Sequence, residues 1–148
     1  MRHPYDRCIS RFYQSRKSEK KYGWPETWDR ESIDQFLRYR AGSINENWAF
    51  YTSRDELLVD FAVRYERLES DLGAVSERLG LDRNIYDVMK DVHAKGDTRP
   101  SGAGVDSVLS EENRRLIATL CHKEMELFGY DSGFDPTEVP TETLIPGD

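Results

Sequence analysis

The spacing of hydrophobic residues changes period along the chain and divides it into elements. After Pro4, apolar side chains at Tyr5, Cys8, Ile9, Phe12 and Tyr13 share one arc at about 100° per residue, with Asp6, Arg7, Ser10, Gln14 and Lys17 opposite. Pro4 suits a first turn, where its missing N–H and fixed φ cost nothing. The pattern predicts a helix from Pro4 to about Lys20, stopped near Gly23 and Pro25. Trp24, Pro25 and Trp28 form a connector, with Thr27 or Asp29 as N-cap of a second helix over Ser32 to Arg40. Ile33, Phe36 and Leu37 give that helix its apolar face, and Gly42 closes it. Ser43 to Ser53, with Asn45, Asn47, Trp48 and Tyr51, reads as a loop suited to lining a cleft or covering the core.

From Leu57 to Glu66 the period becomes two: Val59, Phe61, Val63 and Tyr65 point one way, and Asp60, Ala62, Arg64 and Glu66 the other. This is the one clear strand predicted. A helix follows with Leu68, Leu72, Val75 and Leu79 on one face and Gly80 as its stop. A short helix is expected over Ile85 to Val92, then a glycine-containing loop from His93 to Gly104. Ser110 opens a last long helix with Glu111 and Glu112 in its first turn and Gly129 at its end. Its core face is Leu116, Ile117, Leu120, Cys121, Leu127 and Phe128, and Glu124 falls inside that arc. A carboxylate there needs a partner, since an unpaired buried charge is costly, and Arg7 is the candidate.

Composition narrows the function classes. The 148 residues fit one domain. With 21 Lys+Arg against 28 Asp+Glu the net charge is -7, which argues against general nucleic-acid binding. The positive charge is uneven: Arg2, Arg7, Arg11, Arg16, Lys17, Lys20 and Lys21 crowd the N-terminal stretch, and residues 131–148 have none. The two cysteines each lie on an apolar arc and read as reduced core thiols of a cytoplasmic protein. There is no long apolar run to span a membrane, and His3, His93 and His122 form no zinc-ligand spacing with the cysteines, so no metal is expected.

The candidate chemistry is at the N-terminus. Arg2 stands just before a helix start, and Ser10 lies on that helix's polar side. Free N–H groups and the helix dipole favour an anion in such a place. The run Arg2-His-Pro-Tyr-Asp-Arg-Cys-Ile-Ser-Arg-Phe-Tyr13 resembles the 3′-phosphate-binding segment of sulfotransferases that use 3′-phosphoadenosine 5′-phosphosulfate (PAPS), in the branch of carbohydrate sulfotransferases and their bacterial relatives. The stretch Asp60 to Leu81, with Tyr65-Glu-Arg-Leu68 and Leu79-Gly-Leu81, is similar to the family's later strand and helix, and Glu124 to Tyr130 to its closing segment.

The resemblance implies an α/β fold: the C-terminal part of a three-layer P-loop-like sulfotransferase domain over residues 1–130, mostly helical in this chain. Residues 131–148, with Pro136, Pro140 and Pro146, are expected to be a mobile tail. It implies PAPS as co-substrate and transfer of a sulfuryl group to a hydroxyl or amine, with a carbohydrate as the expected acceptor. Arg2 and Ser10 would hold the 3′-phosphate, and Lys95 and Arg99 are candidates on the loop expected to close over the nucleotide. That loop departs from the family, continuing with Gly102, Ala103, Gly104 and Val105 where aromatic residues are usual.

No Gly-x-x-x-x-Gly-Lys loop occurs in the chain, so the 5′-phosphosulfate site would come from an N-terminal half or a second chain. Met1 stands where the family generally has an apolar strand residue, which predicts a truncated product or a late start at a valine codon. The rival expectation is a non-catalytic helical binding module derived from the same family.

Overall fold

The structure is a computed structural model and describes residues 1–18, 30–54, 56–92 and 99–134. These residues are mostly helical, with one two-stranded sheet. The long helices are α1 (Pro4–Ser18), α2 (Arg30–Arg40), α4 (Leu68–Arg78) and α7 (Glu111–Leu120). Shorter ones are α3 (Trp48–Tyr51), α5 (Ile85–Met89), α6 (Val105–Val108) and α8 (His122–Phe128). The expected connector and its N-cap, Trp24 to Asp29, lie outside the described residues, as do Lys20 and Lys21.

Helix α1 is the centre of the core. Its arc buries Tyr5, Cys8, Ile9 and Phe12 against Ile33, Phe36 and Leu37 of α2, Ile117 and Ala118 of α7, and Met125 of α8. Phe12 and Phe36 meet edge to face, with ring centroids 5.4 Å apart. Burying each large apolar side chain contributes roughly 1.5–3 kcal/mol, so this seam holds α1 in place and fixes where its polar face points. Both cysteines are buried free thiols, and burial pushes each up to about 12, where little thiolate exists.

The expected last helix is two. α7 and α8 meet at Cys121, whose backbone (φ -111°, ψ 13°) leaves the helical region while its N–H still donates to the Ile117 carbonyl at 2.9 Å. Ser110 caps α7 through the Asn113 N–H, and Gly129 ends α8 at φ 65°, the left-handed conformation that glycine adopts without strain. Residues 131–134, expected in the tail, pack back: the Tyr5 hydroxyl donates to the Ser132 carbonyl at 2.6 Å. Residues 135–148 lie outside the described part.

The single clear strand expected over Leu57–Glu66 is corrected. Only its first residue lies in a strand: β2 (Glu56–Leu57) runs antiparallel to β1 (Thr52–Ser53), with Thr52 opposite Leu57 and Ser53 opposite Glu56. Residues 58–64 form no regular element. Alternation specifies which side chains share a face, but a strand also needs a neighbour to complete its backbone hydrogen bonds. What residues 63–65 find instead is Met1, whose amine donates to the Val63 carbonyl and whose carbonyl accepts the Tyr65 N–H, each at 2.5 Å.

Helix α4 also departs from expectation. Leu72 is buried, whereas Leu79 is 64% exposed, because α4 packs on α5 rather than into the α1 core. The buried Ser76 hydroxyl joins that pair, donating to the Leu72 carbonyl and accepting the Ile85 N–H. Among the described residues, no helix is long and apolar enough to cross a membrane, and no group of acidic, histidine and cysteine side chains could hold a metal.

Candidate functional site

Arg2, Asp6 and Ser10 are spaced four residues apart, so they form one stripe along the polar side of the α1 N-terminus. The Arg2 guanidinium lies along this stripe. Its Nε pairs with Asp6, and its Nη1 donates to Ser10 Oγ at 2.7 Å. The same guanidinium lies over the Tyr65 ring, 4.6 Å from its centroid. Arg99 arrives from the segment before α6. Its Nη1 pairs with the second oxygen of Asp6, and its Nε donates to the Ala103 carbonyl at 2.6 Å.

Of the four residues singled out from the sequence, three therefore share one cluster: Arg2 and Ser10 in direct contact, and Arg99 joined to Arg2 through Asp6. Lys95 lies outside the described residues. The side chains of Arg2, Asp6 and Arg99 are 30%, 25% and 22% exposed, so water and a ligand can reach charges that are nonetheless held in place.

Two guanidinium cations face one carboxylate. The Ser10 hydroxyl accepts from Arg2 and has no acceptor for its own proton among the described residues. The cluster can thus offer an anion the Ser10 O–H and the remaining Arg2 N–H groups, in the fork geometry suited to phosphate or sulfate oxygens.

Two participants were not picked out in the sequence. Asp6 was legible from its place midway between Arg2 and Ser10. Tyr65 was not, because it reaches Arg2 through the long-range contacts of Met1 with Val63 and Tyr65. Glu66 strengthens this docking by accepting the His3 N–H at 2.6 Å and the Tyr130 hydroxyl at 3.0 Å. Burial acts to raise the Glu66 pKa, but these hydrogen bonds hold it below the usual carboxylate value. Tyr65 also lines an open cleft of about 880 Å³, with Arg67, Ser70, Asn84 and Tyr86 among its other walls.

A second arginine–carboxylate cluster lies deeper. Glu124 is fully buried and accepts both Arg7 Nη groups, the Nη2 contact at 2.7 Å, together with the Tyr51 hydroxyl at 3.2 Å. Arg7 is the partner the sequence suggested. Burial works against the Arg7 charge, yet the hydrogen bonds and charge of Glu124 hold its pKa above the ordinary value. Burial and the Glu124 carboxylate likewise push the Tyr51 hydroxyl up. Both carboxylate oxygens have donors, and Arg7 Nη2 also reaches the Ile44 carbonyl at 3.3 Å, so the cluster fastens α1 to α8 and to the segment after α2.

Compared with protein-family models, curated proteins and solved structures, the chain has no significant match in any of the three.

Proposed function

We propose that the chain is a PAPS-dependent sulfotransferase, or a truncated fragment of one, and that the Arg2–Ser10 cluster binds the nucleotide's 3′-phosphate. The observation that carries this reading is the direct Arg2–Ser10 hydrogen bond at the start of α1, with Arg99 brought to the same carboxylate. The donor set fits a phosphate: a spare hydroxyl proton and guanidinium N–H groups. The cleft beside Tyr65 has the volume for an adenosine, and an aromatic wall suits a base. Lys95 belongs to this reading as a further phosphate contact from the segment before Arg99.

On this reading the fold is the C-terminal part of a three-layer P-loop-like domain, working in the cytoplasm. PAPS supplies the activated sulfuryl group, and a carbohydrate hydroxyl or amine is the acceptor. The chain's own residues orient the nucleotide and hold positive charge near its phosphates, and such positioning is a large part of catalysis in group transfer. The sequence has no phosphate-cradling loop, so an N-terminal half or a second chain completes the 5′ site, and this chain alone is inactive. No residue here is assigned as the catalytic base.

A second reading rests on Asp6. This carboxylate already pairs with both arginines, as in a non-catalytic helical module whose charges are satisfied internally. Equilibrium titration separates the two. The sulfotransferase reading predicts binding of 3′-phosphoadenosine 5′-phosphate that weakens in Arg2→Ala and Ser10→Ala. Equal affinity for adenosine 5′-phosphate, which lacks the 3′ group, would sink it.

A further inference from the structure

A cavity of about 210 Å³ lies between the α7–α8 junction and the turn that follows α8. Ala118, His122, Met125 and Glu126 are spaced three or four residues apart, so they line it from one side of the two helices. Gly129, in the left-handed conformation, turns the chain back, and the Tyr130 N–H donates to the Met125 carbonyl at 2.9 Å. Tyr130, Asp131 and Phe134 then line the cavity from the turn. That turn is tethered at three points. The Tyr5 hydroxyl donates to the Ser132 carbonyl, the His3 Nε2 donates to the Asp131 carbonyl at 3.1 Å, and the Arg115 guanidinium, paired with Glu111, lies 4.7 Å from the Phe134 ring centroid. A recess with walls held in this way is formed before any ligand arrives, which lowers the cost of binding.

The chemistry of the lining is one-sided. Every side-chain hydroxyl proton on it is already donated: Thr119 to the Arg115 carbonyl, Tyr130 to Glu66 and Ser132 to the Phe134 carbonyl. The His122 Nδ1 lies 3.1 Å from the Thr119 carbonyl, which can only accept, so the neutral ring keeps a bare Nε2. The Glu126 carboxylate has no partner among the described residues, and Asp131 uses one oxygen for the Gly133 N–H and leaves the other free. The lining side chains thus have acceptors left over and no donors, and two of them carry negative charge. We propose that this cavity binds a small organic cation: an ammonium group facing Glu126 and Asp131, on a compact apolar body packed against Met125, Tyr130 and Phe134. At about 30 Å³ per water the volume equals roughly seven waters, which limits the ligand to a single ring or a short chain. An anion would find no side-chain donor here, and a neutral ligand would leave both carboxylates unused. The proposal does not depend on the nucleotide reading, because no residue of the Arg2 cluster lines this cavity.

The test titrates the full chain with three probes that share one apolar body, 2-phenylethylammonium, 2-phenylethanol and phenylacetate, and follows the Ala118 and Met125 methyl resonances by NMR. The proposal predicts saturable shifts of both methyls with the ammonium, an affinity about ten-fold or more above that of the alcohol, and no saturation with the carboxylate. Glu126→Gln and Asp131→Asn each keep an acceptor oxygen but remove a charge, and each should weaken the ammonium about three-fold or more. Glu77→Gln removes the same charge from the exposed side of α4 and should leave the affinity unchanged, which separates the cavity from the general attraction of a chain of net charge -7. Equal affinity for the alcohol, or a preference for the carboxylate, overturns the proposal. So does the absence of saturable shifts at Ala118 and Met125, unchanged affinity in both Glu126→Gln and Asp131→Asn, or a loss in Glu77→Gln as large as in those two.

Discussion

Helix α1 contributes one residue each to two arginine–carboxylate clusters, Asp6 to one and Arg7 to the other, and their surroundings differ. In the Arg7–Glu124–Tyr51 cluster the carboxylate is fully buried and each of its oxygens has a donor. In the Arg2–Asp6–Arg99 cluster the charges are about a quarter exposed, cations outnumber the carboxylate, and the Ser10 hydroxyl keeps a proton to donate. A buried, saturated pair fixes one element against another, whereas a half-open pair with donors left over can exchange its internal partner for a ligand. Paired charge alone therefore says little about function; what matters is whether solvent and unused donors remain.

The largest expected effect falls on the closed cluster. Glu124→Ala leaves Arg7 buried without its counter-ion and should lower stability by about 3–5 kcal/mol in urea unfolding. A loss below about 1 kcal/mol, the range of exposed pairs, would erase the contrast between the two clusters. Next is Arg2→Ala, which removes charge-assisted contacts of about 1.5–3 kcal/mol and should weaken binding of 3′-phosphoadenosine 5′-phosphate by about ten-fold or more. Its unfolding midpoint should barely move, because the pair it breaks is partly exposed. A large stability loss with unchanged affinity would instead place Arg2 with the structural cluster.

Asp6→Asn sharpens the comparison from the other side. Removing the competing carboxylate should tighten phosphate binding several-fold, and weaker binding would show that Asp6 chiefly holds the two arginines in position. The smallest effect is that of pH. For both Asp71 and Glu66, burial acts to raise the pKa, but hydrogen bonds (the Arg64 backbone N–H and guanidinium for Asp71, the His3 N–H and Tyr130 hydroxyl for Glu66) hold the folded value below the ordinary one. The stability these two contribute is present above the unfolded carboxylate range and lost as pH falls through the depressed folded values. The urea midpoint should be level near neutrality and decline below about pH 4.5, less steeply in Asp71→Asn. A midpoint that rises on acidification contradicts this assignment.

Local patterns were legible where the physics is local. The arc Tyr5, Cys8, Ile9 and Phe12 is the buried face of α1, and the Arg7–Glu124 pair follows from an acid lying inside an apolar arc. Ser10 on the polar side, four residues from Asp6 and eight from Arg2, already placed these three together. Features that depend on distant chain segments were not legible. The alternation of Val59, Phe61, Val63 and Tyr65 suggested a strand, but no neighbour within the described residues pairs with it beyond Met1. The break at Cys121 divides a pattern that reads as one helix, and the hydrogen bonds spanning it show why periodicity alone missed it. Tyr65 reaches the site by a contact across the whole intervening chain, which no short-range spacing encodes.

Phosphorus NMR of bound 3′-phosphoadenosine 5′-phosphate reports whether the Arg2–Ser10 cluster takes the 3′-phosphate, as proposed, since the two phosphates give separate resonances. The 3′ resonance should shift on binding, its ionisation should move to lower pH beside the guanidinium groups, and both changes should vanish in Arg2→Ala. A 3′ resonance that stays at its free position while the 5′ resonance moves would contradict it.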